Sequence, residues 1–223
     1  MARNVVFAFT ALFIAALVAF WPTYFTRIGE MAAWTVHLHG VVMFGWCVLL
    51  IAQAGLMRAG RRDIHRALGK VSYVWMPLVL FTSLQVEIHL LRRGGPLNEE
   101  ALFFAYLIPA LAVQMGLAWA LGIRHRANAA LHSRFMIASA LPLIDPIFAR
   151  ILGVHLEMPF GNAQVFTFLM ADSILLWLAW RDRASGIRVY AWMLALFVAL
   201  QLPAFWMYQN STWAGIVRVV AGQ

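Results

Sequence analysis

The sequence predicts an all-α integral membrane protein with a bundle of seven transmembrane helices, and three observations support this fold class. The 223 residues are 63% hydrophobic and 12% charged, with a mean hydropathy of +0.78. A soluble domain of this size needs a mostly polar surface, so the solvent for most of this chain is lipid. The apolar residues form runs of about 20, the length that crosses a bilayer core, and the basic residues lie mainly between those runs.

Seven apolar runs are candidate spans, at residues 5–24, 31–57, 70–91, 100–122, 132–150, 163–180 and 188–208. The first is longer than a signal-peptide core, and its exit at Trp21 is typical of an interfacial aromatic belt, so it predicts an uncleaved helix. The fifth contains Pro142 and Pro146 and the seventh contains Pro203. Prolines kink membrane helices without destroying them. The loops are short, so we expect one transmembrane domain, 1–223.

The basic residues predict the orientation of the chain. Twelve of the seventeen lie on the side of the N-terminus: Arg3, Arg58, Arg61, Arg62, Arg66, Lys70, Arg124, Arg126, Arg134, Arg181, Arg183 and Arg188. The positive-inside rule therefore predicts a cytoplasmic N-terminus and a periplasmic C-terminus.

The net charge of +8 would indicate nucleic-acid binding in a soluble protein. Here the basic residues lie in loops between apolar spans, where they set topology. We therefore expect the lipid bilayer, and not nucleic acid, as the partner of this charge. The single cysteine, Cys47, lies inside a span, so the sequence predicts neither a disulfide framework nor a cysteine-based metal motif.

Ionisable residues inside the spans are candidate functional groups, because charge is costly in hydrocarbon. Asp172 lies near the middle of the sixth span. A second group is predicted at one level near the outer face: His39, Glu87, His89, Asp145 and His155. Imidazole and carboxylate suit zinc or copper, so a metal site at this periplasmic rim is one hypothesis.

The second span carries a polar and aromatic stripe at intervals of three and four residues: His39, Met43, Trp46, Leu50, Gln53 and Met57. A glutamine in mid-span needs a hydrogen-bond partner on another helix. One interpretation is a packing seam in which Gln53 joins two helices, and the other is a pocket for a cofactor or substrate. The sequence leaves both open.

Two histidines predict a haem site on the inner side. Bis-histidine ligation needs two imidazoles at equal depth on neighbouring helices. His65 and His132 each begin a span from the same side, and both loops carry arginines for the haem propionates, including Arg66 and Arg134.

Two runs, HGVVMFGWCVLLIAQAGLMRAGRRDIHRALG and ALHSRFMIASALPLIDPIFAR, resemble an uncharacterised family of bacterial multi-helix inner-membrane proteins, a domain of unknown function. The shared features are the His-Gly opening, Trp46, Gln53, the basic loop ending at Gly69, and the later His132 to Arg150 segment. The resemblance covers spans two to five and implies a multi-pass protein of the bacterial inner (cytoplasmic) membrane. It implies no activity.

The same chain resembles cytochrome b561-type haem proteins more loosely, since a His-Gly begins one helix, a Trp follows, and further histidines flank the inner loops. The resemblance implies haem b, with His39 as an outer ligand and His65 and His132 as inner ligands. The fourth span has no histidine, so an outer haem would need His89 as a substitute ligand.

Three functional hypotheses follow, and whether the protein is an enzyme stays open. The first is a b-type haem electron carrier that exchanges electrons with quinone or another membrane protein complex. The second is a non-catalytic membrane subunit, or an assembly, sensory or transport component. The third is the metal site at the periplasmic rim.

Overall fold

The computed structural model describes residues 2–30, 33–93, 95 and 97–223, and those residues form helices and turns without a strand. The helices are α1 Ala2–Phe20, α2 Trp34–Arg58, α3 Arg62–Gly69, α4 Ser72–Arg93, α5 Glu99–Arg124, α6 Ala129–Ala138, α7 Ile144–Arg150, α8 Phe160–Asp182, α9 Val189–Gln201, α10 Ala204–Met207 and α11 Ser211–Ala221. Short 3-10 turns at Phe25–Arg27, Leu141–Leu143 and Arg183–Ser185 and a π-helical turn at Ile151–His155 connect some of them. The predicted all-α class is confirmed.

Six helical segments in the described part of the chain are long and apolar enough to cross a membrane: Trp34–Arg58, Ser72–Arg93, Glu99–Arg124, Ala129–His155, Phe160–Ser185 and Val189–Met207. They confirm a multi-pass membrane protein. The segment Asn4–Phe20 is apolar but shorter. The first predicted span, at 5–24, and with it the total of seven spans, therefore stay predictions.

Asparagine side chains cap the N-termini of three of the helices. Asn98 accepts a hydrogen bond from the Ala101 amide at 2.8 Å, and Asn128 accepts from Ala130 and Leu131 at 3.0 and 3.1 Å. Asn210 caps α11 in the same way. The first amides of a helix have no partner within it, and a short side-chain oxygen supplies one. These caps explain why α5 and α6 begin slightly before the apolar runs that predicted them.

The chain divides into two compact units, residues 1–86 and 87–223. In the first unit, α1 packs along α2, and Phe44 meets Phe13, Phe20 and Phe25 at ring-centroid distances of 5.7, 6.3 and 5.5 Å. The Trp75 indole N–H donates to the Val42 carbonyl at 2.9 Å. This bond places the indole directly against Gly45, whose missing side chain makes room for it.

We expect Gly45→Ala to destabilise the first unit by about 1–3 kcal/mol, the usual effect of overpacking. The added methyl would collide with the rigid Trp75 ring and disturb its bond to Val42. Gly55→Ala on the same helix is the control, because a Cβ there meets nothing within 4 Å. Unfolding in mixed micelles, followed by tryptophan fluorescence, measures the difference, and equal effects of the two changes would contradict the packing described.

In the second unit, α5 contacts α6, α9, α10 and α11. An aromatic cluster packs against its first half, where Phe103 meets Phe160 at 5.2 Å and Phe205 at 5.9 Å between ring centroids. At the end of the chain, the Trp213 indole donates to the Leu102 carbonyl at 3.0 Å. The sequence did not predict α11, since it is shorter than a span.

The segment Ala129–His155 crosses the second unit as an interrupted helix. It passes from α6 through the 3-10 turn to α7 and ends in the π-helical turn. Pro142 and Pro146 have no amide hydrogen, so neither can continue an α-helical ladder to the carbonyl four residues earlier. Pro142 lies in the 3-10 turn and Pro146 in the first turn of α7. Asp145 therefore lies on a helix of about two turns between the 3-10 turn and the π-helical turn.

Candidate functional site

His132 lies in the first turns of α6, half-buried, with its ring turned towards the end of α5. Its Nδ1 lies 2.8 Å from the carbonyl oxygen of Gly122, and since a carbonyl only accepts, Nδ1–H is the donor. In neutral imidazole the lone pair is then on Nε2. Histidines that bind metals commonly have this arrangement, because a donated Nδ1–H fixes the tautomer and orients the ring.

His39 contacts Thr82 in the first unit. The Thr82 hydroxyl oxygen lies 3.3 Å from the His39 Nδ1 and 3.3 Å from the Val79 carbonyl. Thr82 is buried on α4, and this bond joins α2 to α4 within the first unit.

His65 and Arg66 do not begin a membrane span, which differs from the sequence analysis. They lie on α3, a separate short helix, and α4 starts only at Ser72. Asp63 in its first turn and Arg66 in its last turn suit the helix dipole. His65 is half-buried and Arg66 is exposed, so Arg66 is accessible to an anionic group.

Arg134 has a different environment from the one predicted. Its guanidinium donates to both carboxylate oxygens of Asp182 and, at 2.8 Å, to the Ala130 carbonyl. Both side chains are more than nine-tenths buried. The donors that the sequence analysis assigned to a haem propionate are thus engaged by α8, and Arg134 links α6 to α8.

The stripe on α2 contains buried polar groups without a hydrogen-bond partner in the described chain. They are the Trp46 indole nitrogen and both amide atoms of Gln53. Trp46 is completely buried. The packing-seam interpretation requires Gln53 to bond another helix, and no such bond is present among the described residues. Orphaned buried groups cost about 1–3 kcal/mol each. Both interpretations of the stripe stay predictions.

The residues predicted for the rim metal site lie on different elements. His39 is in the first unit, on α2. In the second unit, Glu87 and His89 are in the last turns of α4, Asp145 is on α7 and His155 ends the π-helical turn. Among the residues that the structure describes, no three His, Cys, Asp or Glu side chains form a group that could hold a metal ion. The rim site stays a prediction.

Asp145 is buried with two neutral partners from α8. Its carboxylate accepts from the Gln164 amide and, at 2.8 Å, from the Thr167 hydroxyl. The Gln164 amide also lies 3.2 Å from the Thr167 hydroxyl, and all three residues are less than 5% exposed. This closed network joins the interrupted helix to α8.

Asp172 also has a neutral partner. With the Gln201 amide assigned so that its nitrogen rather than its oxygen faces the carboxylate, that nitrogen donates to the two oxygens of Asp172 at 3.0 and 3.3 Å. Gln201 ends α9, two residues before Pro203. The two side chains share a cleft of about 220 Å³ between α8 and the end of α9, and the rest of its lining is apolar: Val165, Phe168, Leu169, Val198, Leu202 and Phe205.

Sequence reasoning found Asp145, Asp172 and Arg134 but missed their partners Gln164, Thr167, Gln201 and Asp182. One available signal was the spacing of Gln164 and Thr167, three residues apart on one helical face. Asp182 follows the span predicted at 163–180, whereas α8 continues through it.

No protein-family model matches the chain, and no curated protein or solved structure is significantly similar to it.

Proposed function

We propose that this protein is a membrane electron carrier that binds b-type haem through histidine, with His132 as the best-supported axial ligand. The observation that carries the proposal is the 2.8 Å bond from His132 Nδ1–H to the Gly122 carbonyl, which puts the imidazole lone pair on Nε2. This tautomer fits a haem-iron ligand, and when bound the haem supplies one-electron redox chemistry.

A haem bound to His132 also needs cationic side chains for its propionates. We propose Arg124 and Arg126 for this role, because both are exposed near the start of α6 whereas Arg134 is paired with Asp182.

The proposal includes the topology and location that the sequence indicates. The chain has seven spans with a cytoplasmic N-terminus and a periplasmic C-terminus, in a bacterial inner membrane. The electron partner is a quinone or another membrane protein complex. Twelve of the seventeen basic residues on one side support the orientation.

The test is the visible spectrum of the detergent-purified full chain, oxidised and dithionite-reduced, with iron, zinc and copper measured on the same sample. His132→Asn is the key variant. The asparagine amide can still donate to the Gly122 carbonyl, but it has no atom at the Nε2 position. We expect the reduced-haem absorbance per chain to fall about tenfold or more, with folding retained.

His125→Asn is the matched control, because that ring lies in the same loop region and stacks on Phe135 at 5.8 Å. It is expected to leave the spectrum unchanged. Alanine substitution of His39, His65 and His89 in turn then identifies the second axial ligand. A colourless protein without iron, or an unchanged spectrum in His132→Asn, overturns the proposal.

A transport component is the second candidate, favoured by the Asp145 network. A buried carboxylate on an interrupted membrane helix is an arrangement that ion-coupled transporters use. The visible spectrum and metal content of the same purified sample distinguish the two functions. A colourless, metal-free protein favours transport, and zinc or copper without haem favours the rim metal site.

A further inference from the structure

The cleft between α8 and α9 is open to an apolar environment. Leu169, Val165 and Leu202 at its edge are 61%, 44% and 47% exposed. Asp172 lies near the middle of α8, and both helices belong to candidate spans. A molecule that reaches this cleft therefore comes from the bilayer and is mostly apolar.

The polar groups of the cleft set a further requirement on its occupant. Gln201 is 97% buried, and its amide nitrogen donates to Asp172. An amide has two N–H groups and a carbonyl oxygen, so the pair can both donate to and accept from a second molecule. Carbonyl and hydroxyl groups meet this requirement, whereas a hydrocarbon chain leaves the pair without a new partner.

The shape of the cleft favours a flat ring. Phe168 and Phe205, with ring centroids 5.6 Å apart in an edge-to-face arrangement, form part of its wall. Its volume of about 220 Å³ is smaller than the roughly 300–1,000 Å³ of pockets for whole drug-sized ligands. One substituted six-membered ring fits, with any tail left in the lipid.

We infer that this cleft binds the ring of a membrane quinone, whose carbonyl or hydroxyl groups bond to Asp172 and Gln201. Phospholipid head groups and sterol hydroxyls lie at the membrane interface, whereas quinone rings reach the bilayer interior. None of the haem histidines is among the residues that line the cleft. Only the use of the quinone as an electron partner rests on the proposed function.

The experiment is a binding titration of the full chain in lipid nanodiscs with a dimethoxy-methyl-benzoquinone that carries a decyl tail. Decylbenzene is the comparison probe, because it shares the ring and tail but has no carbonyl. We expect the quinone to bind at least roughly tenfold more tightly than decylbenzene, and Asp172→Leu and Gln201→Leu each to weaken it about tenfold. Ser173→Ala, on an exposed neighbour outside the cleft, is expected to bind normally.

Val198→Phe fills the cleft while keeping both polar side chains and is expected to abolish quinone binding. This variant keeps the test decisive if either polar substitution impairs folding. Equal binding of the two probes would identify an acyl-chain groove and overturn the inference. Unchanged affinity in Val198→Phe would overturn it as well. Haem content is read separately from the spectrum, so failure of the haem proposal is distinguishable from failure of this one.

Discussion

Arg134→Leu is expected to destabilise the protein by about 3–5 kcal/mol, because it leaves the Asp182 carboxylate as an uncompensated buried charge. The two side chains are only 8% and 6% exposed, and the guanidinium donates to both carboxylate oxygens. Asp182→Leu should have a similar effect, since it leaves the guanidinium without its counter-charge. Reversible unfolding in mixed micelles, followed by circular dichroism, gives the free energies.

The double variant Arg134→Leu with Asp182→Leu distinguishes this explanation from a simple loss of packing. Desolvation of both charges offsets much of their attraction, so a hydrophobic replacement of the whole pair is often nearly neutral. We expect the double variant to be more stable than either single one. Asp63→Ala is the control, because the Arg61–Asp63 pair has exposed fractions of 58% and 73%, and exposed pairs contribute little. If each single variant lost as little unfolding free energy as this control, the result would contradict a buried ion pair.

Gln164→Leu is expected to destabilise the protein by about 2–3 kcal/mol, because it removes one of the two donors that the buried Asp145 carboxylate has. Leucine has a similar volume, so the effect on packing is small. Thr167→Val removes the other donor and should act in the same direction. The same unfolding measurement applies.

Gln114→Leu on α5 is a matched comparison, since Gln114 is completely buried and neither of its amide atoms has a partner in the described chain. Replacing it removes a desolvated amide and breaks no bond observed there, so we expect unchanged or increased stability. A loss equal to that of Gln164→Leu would indicate that Gln114 binds a buried water or ligand. If neither Gln164→Leu nor Gln114→Leu lowered the stability, the result would contradict the role assigned to the Asp145 network.

Much of the fold was predictable because hydropathy is a property of local sequence. Apolar runs of sufficient length marked the six segments that the structure shows as span-length helices, and the prolines at 142 and 203 marked real interruptions. Helix α11 was not predictable in this way. It is short, and long-range contacts such as the bond from Trp213 to the Leu102 carbonyl hold it in place.

The candidate sites were only partly predictable. A polar residue inside a span is recognisable from the sequence as unfavourable in lipid, but the sequence does not show which residue it bonds to. His132 was proposed as an inner haem ligand from its place in the sequence, whereas its tautomer depends on the Gly122 carbonyl at the end of another helix. Arg134 was interpreted as a propionate ligand. The structure pairs it with Asp182, which lies 48 residues later on α8.

The sequence alone determined that the chain is helical and crosses a membrane several times, because segment length and apolar composition decide insertion into lipid. It also determined which ionisable residues enter the spans. Only the tertiary structure decided which of them are paired, since partners such as Asp145 with Gln164 and Asp172 with Gln201 lie on different helices. Their contact depends on how the helices pack, and no local pattern of residues encodes that arrangement.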